Sequence, residues 1–205
     1  MVQSLALSHP IAGVQTSTSD LFLISVERYE AMIRSGIITA EDNIELIHGK
    51  LIKKMGKNEP HILVAGLLMD WLVQSLPRGW FVSIENPIRM PDSLPEPYAV
   101  IVRGERREYG NRRFTPSEIA VVVEIADTTL DSDPAIRLSL YAGAGIAVYW
   151  IANINARQIE VYTLPQTGDP APFYRSLMIY TAADSIPLIL DGAQVASIAA
   201  ADLLP

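Results

Sequence analysis

The spacing of apolar residues predicts a helix followed by a hairpin near the start of the chain. A stripe at helical spacing runs from Ser25, a residue type that caps helices, to Gly36, a typical stop, and consists of Val26, Tyr29 and Ile33. Glu45–Lys54 then alternates around His48 and Gly49, and glycine readily adopts the positive φ of a tight turn. We therefore expect a short helix and a β-hairpin.

A longer helix is predicted over residues 60–76. Asn58 is a suitable cap for it, and Pro60 fits its first turn. Apolar residues occupy two neighbouring stripes of this helix, formed by Leu63, Leu67 and Trp71 and by Val64, Leu68 and Leu72. An apolar face of this width is typical of a helix that packs against a sheet.

Runs of β-branched and aromatic residues indicate strands in the rest of the chain. The strongest is Ile119–Ala126, a continuous run of the kind that is buried on both faces of a sheet. Pro134 fits the start of a helix that ends at Gly143 or Gly145 and leads into a strand, which makes a strand–helix–strand unit. The other strands are expected at Trp80–Glu85, Ile88–Met90, Ala99–Arg103, Ile146–Ile151, Arg157–Thr163 and Phe173–Tyr180, with a short strand and turn after Gly192.

These elements predict a single α/β domain with helices on a mixed sheet. The sheet is expected to include Glu45–Lys54, Trp80–Met90, Ala99–Arg103, Ile119–Ala126 and Ile146–Ile151. The 205 residues are 49% hydrophobic, which favours one compact core over disorder. We assign residues 22–205 to this domain and residues 1–21 to a loose N-terminal leader.

The composition excludes several kinds of site. The chain has no cysteine, which removes disulfides, thiolate nucleophiles and iron–sulfur clusters and fits a cytoplasmic location. The histidines His9, His48 and His61 are too scattered for a histidine metal motif, so any metal would be a hard cation held by carboxylate oxygens. The start lacks a signal peptide, and the apolar stretch 138–156 contains glycine and asparagine, so we expect no membrane span.

The charge is unevenly distributed. A net charge of −7 argues against a surface that attracts nucleic acid everywhere, yet five arginines lie in one short stretch. These candidate DNA-binding residues are Arg103, Arg106, Arg107, Arg112 and Arg113, and the alternative is a solvated charged loop. Because only 19% of the residues are charged, we also expect a homo-oligomer that buries part of the apolar surface.

Glu124 is the one carboxylate inside the most apolar predicted strand. Burial of an unpaired carboxylate is unfavourable by several kcal/mol, or the group takes up a proton, so Glu124 should have a partner. Two interpretations stay open at this point. Glu124 either pairs with an arginine and stabilises the fold, or it belongs to a catalytic site.

The stretch VVVEIADTTLDSDPAIRLSLYAGAGIAVYWI resembles the Uma-type (Uma two) family of proposed endonucleases, and so do ELIHGKL, NEPH and PEPYAVIVRG before it. That family was long catalogued as a domain of unknown function, and it belongs to the PD-(D/E)XK, restriction-endonuclease-like superfamily. The resemblance covers most of the chain, from about Phe22 to Ile159. It implies a restriction-endonuclease-like mixed sheet flanked by helices.

The resemblance also implies a Mg²⁺-dependent nuclease site. In the superfamily, an Asp on one strand and a Glu on the next hold Mg²⁺, and a Lys orients the attacking water. Such a cation polarises the phosphate and lowers the pKa of a bound water. By this resemblance Glu124 is the strand Glu, and Glu45 and His61 occupy positions that flank the site.

Two positions depart from the family pattern. The expected Asp is Tyr98, and a phenol is a poor Mg²⁺ ligand. The expected Lys is Arg137, whose guanidinium stays protonated. Glu96 lies two residues before Tyr98 and is the candidate replacement ligand, together with Glu124. We predict that Glu124, Tyr98, Arg137, Glu45 and His61 meet in one cleft, with Arg137 paired to Glu124.

Three functions are compatible with these residues. The first is a Mg²⁺-dependent DNA endonuclease, a hydrolase whose activity the two departures would weaken or abolish. The second is a degenerate member that binds nucleic acid or protein without cleavage. The third is a homo-oligomeric structural or regulatory protein. The changes at Tyr98 and Arg137 favour the second and third, whereas Glu124, Glu45 and His61 keep the first open.

Overall fold

The computed structural model describes residues 3–6, 21–54, 56–126, 134–168 and 170–205. Its helices are α1 (Val26–Arg34), α2 (Glu59–Ser75) and α3 (Pro134–Gly143). Its strands are β1 (Gln3–Ala6), β2 (Ile44–Ile47), β3 (Lys50–Lys53), β4 (Trp80–Ile84), β5 (Ala99–Arg103), β6 (Ile119–Ala126), β7 (Val148–Asn153), β8 (Gln158–Gln166), β9 (Phe173–Thr181), β10 (Ser185–Leu190) and β11 (Ala193–Ala199).

A seven-stranded mixed sheet forms the centre of the fold, in the order β1-β9-β8-β7-β6-β5-β4. β6 pairs with β7 in parallel, and the other neighbours in this sheet are antiparallel. α3 lies in the connection between β6 and β7. The predicted strand–helix–strand unit and the α/β mixed sheet flanked by helices are therefore confirmed.

Side-chain caps begin the first two helices where the sequence predicts them. Ser25 accepts a hydrogen bond from the backbone N–H of Arg28 at the start of α1. Asn58 accepts one from the backbone N–H of His61 at the start of α2, with Pro60 in the first turn. Each cap satisfies a backbone donor that has no partner within its own helix.

The two faces of the sheet carry separate apolar clusters. On one face, α2 packs Val64, Leu68 and Leu72 against side chains that include Val123 of β6. On the other, α3 contributes Leu138, Leu140 and Tyr141 to a cluster that includes Val122 and Tyr149. Because neighbouring residues of a strand point to opposite faces, the continuous apolar run of β6 supplies both clusters.

The predicted hairpin exists, but its place in the sheet was predicted wrongly. β2 and β3 form a two-stranded sheet of their own and do not extend the central sheet. Leu46 of β2 packs in a third cluster with Val26 and Tyr29 of α1, and its backbone forms a single bridge with Leu94. This contact with α1 explains why the hairpin is separate from the central sheet.

Ile88–Met90 is not a strand. Ile88 makes one isolated bridge, to Phe114, and the segment lies between Pro87 and Pro91. Proline has no backbone N–H to donate to a neighbouring strand. The prolines on both sides therefore limit the backbone pairing of this segment to an isolated bridge. At the C-terminus, the expected strand after Gly192 is β11, and it pairs with β10, which the sequence analysis did not predict.

Some expectations fall partly outside the described residues. Within the predicted leader, residues 1–21, Gln3–Ala6 forms β1 and pairs with β9 in an antiparallel register. Residues 1–2 and 7–20 of the leader lie outside the described part, as do residues 127–133 of the family-like stretch. The domain boundary at residue 22 stays a prediction. Among the described helices, none is long and apolar enough to cross a membrane.

Candidate active site

Glu124 lies near the end of β6, an interior strand of the central sheet between β5 and β7. The five residues from Ile119 to Val123 are buried, and Glu124 keeps 15% of its side chain exposed. The carboxylate is therefore at the end of the buried run, where a strand leaves the core. Such strand ends are frequent positions for functional groups in α/β folds.

Arg137 joins the two buried carboxylates. Its Nη1 donates to Glu124 Oε1 at 2.7 Å, and its Nη2 donates to Glu45 Oε1 at 2.5 Å. Arg137 is on α3, Glu124 on β6 and Glu45, which is 1% exposed, on β2. The pair predicted between Arg137 and Glu124 is present, and the same guanidinium also connects the hairpin to the central sheet.

All four oxygens of these two carboxylates accept hydrogen bonds from the chain. The Tyr141 hydroxyl donates to Glu124 Oε1 at 3.0 Å, beside Arg137. The backbone N–H of Tyr98 donates to Glu124 Oε2 at 3.3 Å, and that of Glu96 donates to Glu45 Oε2 at 3.0 Å. The protein itself thus provides the donors that buried carboxylates need.

Burial and neighbouring charges shift the pKa values of Glu124, Arg137 and Tyr141. Burial raises the pKa of Glu124, and the charge of Arg137 acts in the opposite direction. Burial alone would lower the pKa of Arg137, but Glu124, Glu45 and the neighbouring tyrosines together outweigh it and raise that pKa, so the guanidinium stays protonated. Burial also raises the pKa of Tyr141 well above its usual value, so its hydroxyl remains a hydrogen-bond donor.

Tyr98 and His61 form a second group, next to the first. The Tyr98 hydroxyl donates to the backbone carbonyl oxygen of Ala65 on α2, and its ring belongs to the apolar cluster on the α2 face. The His61 ring makes an edge contact with the Tyr98 ring, with centroids 6.5 Å apart. Burial raises the pKa of Tyr98 to about 12. Tyr98 therefore reaches Glu124 through its backbone N–H, while its phenol is directed at α2.

Glu96 is engaged by a lysine. Its Oε2 accepts a hydrogen bond from Lys54 Nζ at 2.5 Å, and its backbone N–H binds Glu45. Both side chains of this ion pair are about one-quarter exposed, so they lie at the rim of the site. A second rim pair joins Lys57 to Glu85. Glu96 is thus close to the buried carboxylates, but its own carboxylate is neutralised by Lys54.

As arranged, these residues do not fit Mg²⁺. A hard dication needs several oxygen ligands, and carboxylates have to supply most of the charge. The oxygens of Glu45 and Glu124 bind Arg137, Tyr141 and backbone N–H groups, and the position of the family Asp holds a phenol directed at Ala65. In the part of the chain that the structure describes, no group of three or more His, Cys, Asp or Glu residues is placed to hold a metal.

The arginine-rich stretch lies at the other end of β5. Tyr98 immediately precedes β5 and Arg103 ends it, so about 17 Å of extended strand separates them. Three of the arginines form ion pairs within the chain: Arg103 with Asp191, Arg112 with Glu118 and Arg113 with Glu30. Arg106 donates to a backbone carbonyl of β4, and Arg107 is exposed. The stretch is therefore largely held by intramolecular contacts.

The family comparison matches most of the chain. The family described as "Uma2: Putative restriction endonuclease" matches residues 26–196. This chain belongs to the Uma2 family. Among solved structures, the Uma2 chain is similar to a crystal structure of "a putative nuclease belonging to DUF820" from Anabaena variabilis, with a TM-score of 0.66 and 14% sequence identity. The match covers 88% of this chain and 97% of that chain.

The similarity to that nuclease shows the fold, so the Uma2 chain has the restriction-endonuclease-like sheet that the resemblance implied. A comparison with curated proteins gives no match. Two residues that contact the candidate site, Tyr141 and Lys54, were not predicted from the sequence. A signal existed for Tyr141, since it lies one helical turn after Arg137 and therefore on the same face of α3. No comparable signal connects Lys54 with Glu96.

Proposed function

We propose that this Uma2 protein is an endonuclease family member whose catalytic site is impaired, so that it cleaves DNA weakly or not at all. Family and fold support the endonuclease part of this proposal. The impairment rests on one observation. Every oxygen of Glu45 and Glu124 already accepts a hydrogen bond from a donor of the chain, and Arg137 is the cation between them.

Arg137 is the central residue of the proposal. Its guanidinium has a planar fork of donors that matches two carboxylates, and it cannot release its proton at neutral pH. It can therefore neither accept a proton from water nor make room for a dication without breaking both ion pairs. In an active family member, the residues at positions 98 and 124 would hold Mg²⁺, which polarises a phosphate and activates a water.

The test is plasmid cleavage in Mg²⁺ and in Mn²⁺. We compare the wild type with Tyr98→Asp/Arg137→Lys, which restores the family residues at both departing positions. The wild type is expected to leave the plasmid intact, and the double variant is expected to nick it. The matched control is Glu124→Ala in the double variant, which should abolish the nicking. Wild-type cleavage that Glu124→Ala removes would contradict the proposed impairment.

The alternative is a non-catalytic binding protein that keeps the nuclease fold. One observation favours association through α2, whose outer surface exposes three large apolar side chains. These are Ile62, Leu63 and Val73, each at least half exposed. Large apolar side chains grouped on a surface are typical of interaction sites. Light scattering over a range of protein concentrations tests this homo-oligomer, and a mass equal to one chain at every concentration would contradict it.

DNA binding is the second form of this alternative. Arg107 is the most available of the five arginines, because the others bind groups of the chain itself. Binding through Arg107 alone, on an acidic protein, would be weak and would depend little on salt. Fluorescence anisotropy with a labelled duplex at several salt concentrations tests this. A steep salt dependence would require the paired arginines to release their partners.

A further inference from the structure

β4 is the last strand of the central sheet. The sheet order ends with β4, and no other strand among the described residues pairs with its outer side. An unpaired edge presents backbone N–H and C=O groups in a row, and a strand of another molecule can bind them. The contacts of this edge therefore determine whether a second copy of the chain could add to the sheet.

The hydrogen-bond alternation of β4 shows which residues face outward. The N–H of Gly104 donates to the carbonyl of Gly79 at 2.7 Å, and the N–H of Glu85 donates to that of Tyr98 at 2.9 Å. In an antiparallel pair, directly opposed residues alternate between bonded and non-bonded positions. Phe81 and Ser83 therefore bond to β5, whereas the backbone groups of the residues between and beside them face away from the sheet. These are Trp80, Val82 and Ile84.

Two side chains bind outward carbonyl groups of this edge. Arg106 Nη2 donates to the carbonyl oxygen of Val82 at 2.7 Å, and its guanidinium lies over the Phe81 ring, 5.0 Å from the centroid. Asn86 Nδ2 donates to the carbonyl oxygen of Ile84 at 3.0 Å and to Ser83 Oγ at 2.8 Å. Each contact uses an acceptor that an added strand would need.

Both contacts have a local cause in the sequence. Arg106 follows β5 after Gly104, whose φ of 93° is readily adopted only by glycine and turns the chain at the end of the strand. Asn86 lies two residues after the end of β4 and precedes Pro87, and its side-chain amide turns back to the last residue of that strand. The edge is thus covered by Asn86, two residues after β4, and by Arg106, three residues after β5.

We propose that Arg106 and Asn86 are edge caps, which keep β4 from pairing with β4 of a second copy of this chain. In a two-fold symmetric antiparallel pair, β4 of one copy would lie opposite β4 of the other. Both strands would carry both caps, so each cap would oppose the pairing at two places. The capped acceptors are two of the three outward carbonyls of β4. Arg106, a candidate for phosphate binding by its position in the arginine-rich stretch, has a structural function in this inference.

The experiment compares the full-length wild type with Arg106→Ala/Asn86→Ala. Sedimentation equilibrium measures self-association, and hydrogen–deuterium exchange of a peptide covering Trp80–Ile84 reports pairing at this edge. In the double variant we expect the association constant to rise on the order of tenfold. We also expect the exchange of this peptide to slow as the protein concentration rises. The wild type should show neither effect at this edge.

Arg107→Ala is the matched control, because it removes an exposed arginine of the same stretch that makes no hydrogen bond to the described residues of β4. It should behave like the wild type. Arg106→Met is the second variant if the double variant does not fold, since it keeps an apolar stem over Phe81 and removes the donors. Unchanged association and exchange in folded variants would overturn the proposal. The proposal would also be overturned if hydrogen–deuterium exchange of Trp80–Ile84 in the wild type slowed as the protein concentration rose.

Discussion

Arg137 and Glu124 are thirteen residues apart in sequence and share a hydrogen bond of 2.7 Å between α3 and β6. Through its second nitrogen the same guanidinium binds Glu45, on the separate hairpin sheet. One cation thus connects the three elements that carry the candidate site. These connections are made by a group that is covalently part of the chain.

Replacement of Arg137 should destabilise the fold strongly. Arg137→Ala leaves two buried carboxylates next to each other without their cation, and breaking a buried pair in this way typically costs about 3–5 kcal/mol. Arg137→Lys should cost less than Arg137→Ala, because an ammonium keeps a positive charge beside the carboxylates, but it should still destabilise the fold because it lacks the planar fork that binds both. Urea unfolding measures both. Arg107→Ala is the control, expected within about 0.5 kcal/mol of the wild type.

The sequence predicted the central elements because their patterns are local. Ile119–Ala126 is long, β-branched and free of Gly and Pro, and it is an interior strand of the central sheet. The hairpin turn at His48 and Gly49 was also predicted from local residues. Alternation within two short strands, however, does not indicate which sheet they join. That choice depends on the contact of Leu46 with α1, which is a tertiary contact.

The sequence predicted which charged residues of the site form an ion pair. It did not predict the directions in which the side chains point. Burial of Glu124 required a cation, and the family-like spacing indicated Arg137 as that cation. Tyr98 could not be placed in the same way, since its ring turns toward α2 to bury its surface and bind Ala65. The sequence likewise does not indicate that the backbone N–H groups of Glu96 and Tyr98 bind the carboxylates, because every residue except proline has a backbone N–H group.

Removal of the Tyr141 hydroxyl should weaken the site without changing its charges. Tyr141→Phe deletes the 3.0 Å hydrogen bond to Glu124, and hydrogen bonds to charged groups contribute about 1.5–3 kcal/mol. We expect a loss at the lower end of this range, because Arg137 continues to bind the same oxygen. Urea unfolding measures the loss. Tyr174→Phe is a comparison variant, which removes a hydrogen bond to the neutral carbonyl of Ile146 and should cost less.

Acid should remove the contribution of Glu118 to stability. The hydrogen bonds from Arg112 lower the pKa of Glu118 from 4.5 to about 2, and those from Thr115 add to this effect. The folded state thus binds its proton less tightly than the unfolded state. The stabilisation is present above pH 4.5 and is lost as the pH falls toward about 2. Because Arg112 is about half exposed, we expect on the order of 1 kcal/mol.

Glu118→Gln tests this pH dependence. The unfolding free energies of the variant and the wild type should differ most near neutral pH, and the difference should shrink as the pH falls below 4.5. Comparing the two proteins at each pH removes the contribution of the other carboxylates. A difference that stays constant down to pH 2.5 would show that Glu118 does not titrate as its contacts indicate.

Removal of the guanidinium should open the carboxylates to a cation. In the wild type, Mn²⁺ competes with donors on every oxygen of Glu45 and Glu124 and is repelled by the adjacent positive charge, so we expect no shift of the unfolding midpoint at millimolar Mn²⁺. Arg137→Ala frees Glu45 Oε1 and leaves Glu124 Oε1 with the Tyr141 hydroxyl alone, so Mn²⁺ should raise its midpoint by mass action. Adding Glu124→Gln to this variant removes one of the two charges and should abolish the shift. A wild-type midpoint that rises with Mn²⁺, and does so only while Glu124 is present, would mean that the carboxylates exchange Arg137 for a metal and that the site is available to nuclease chemistry.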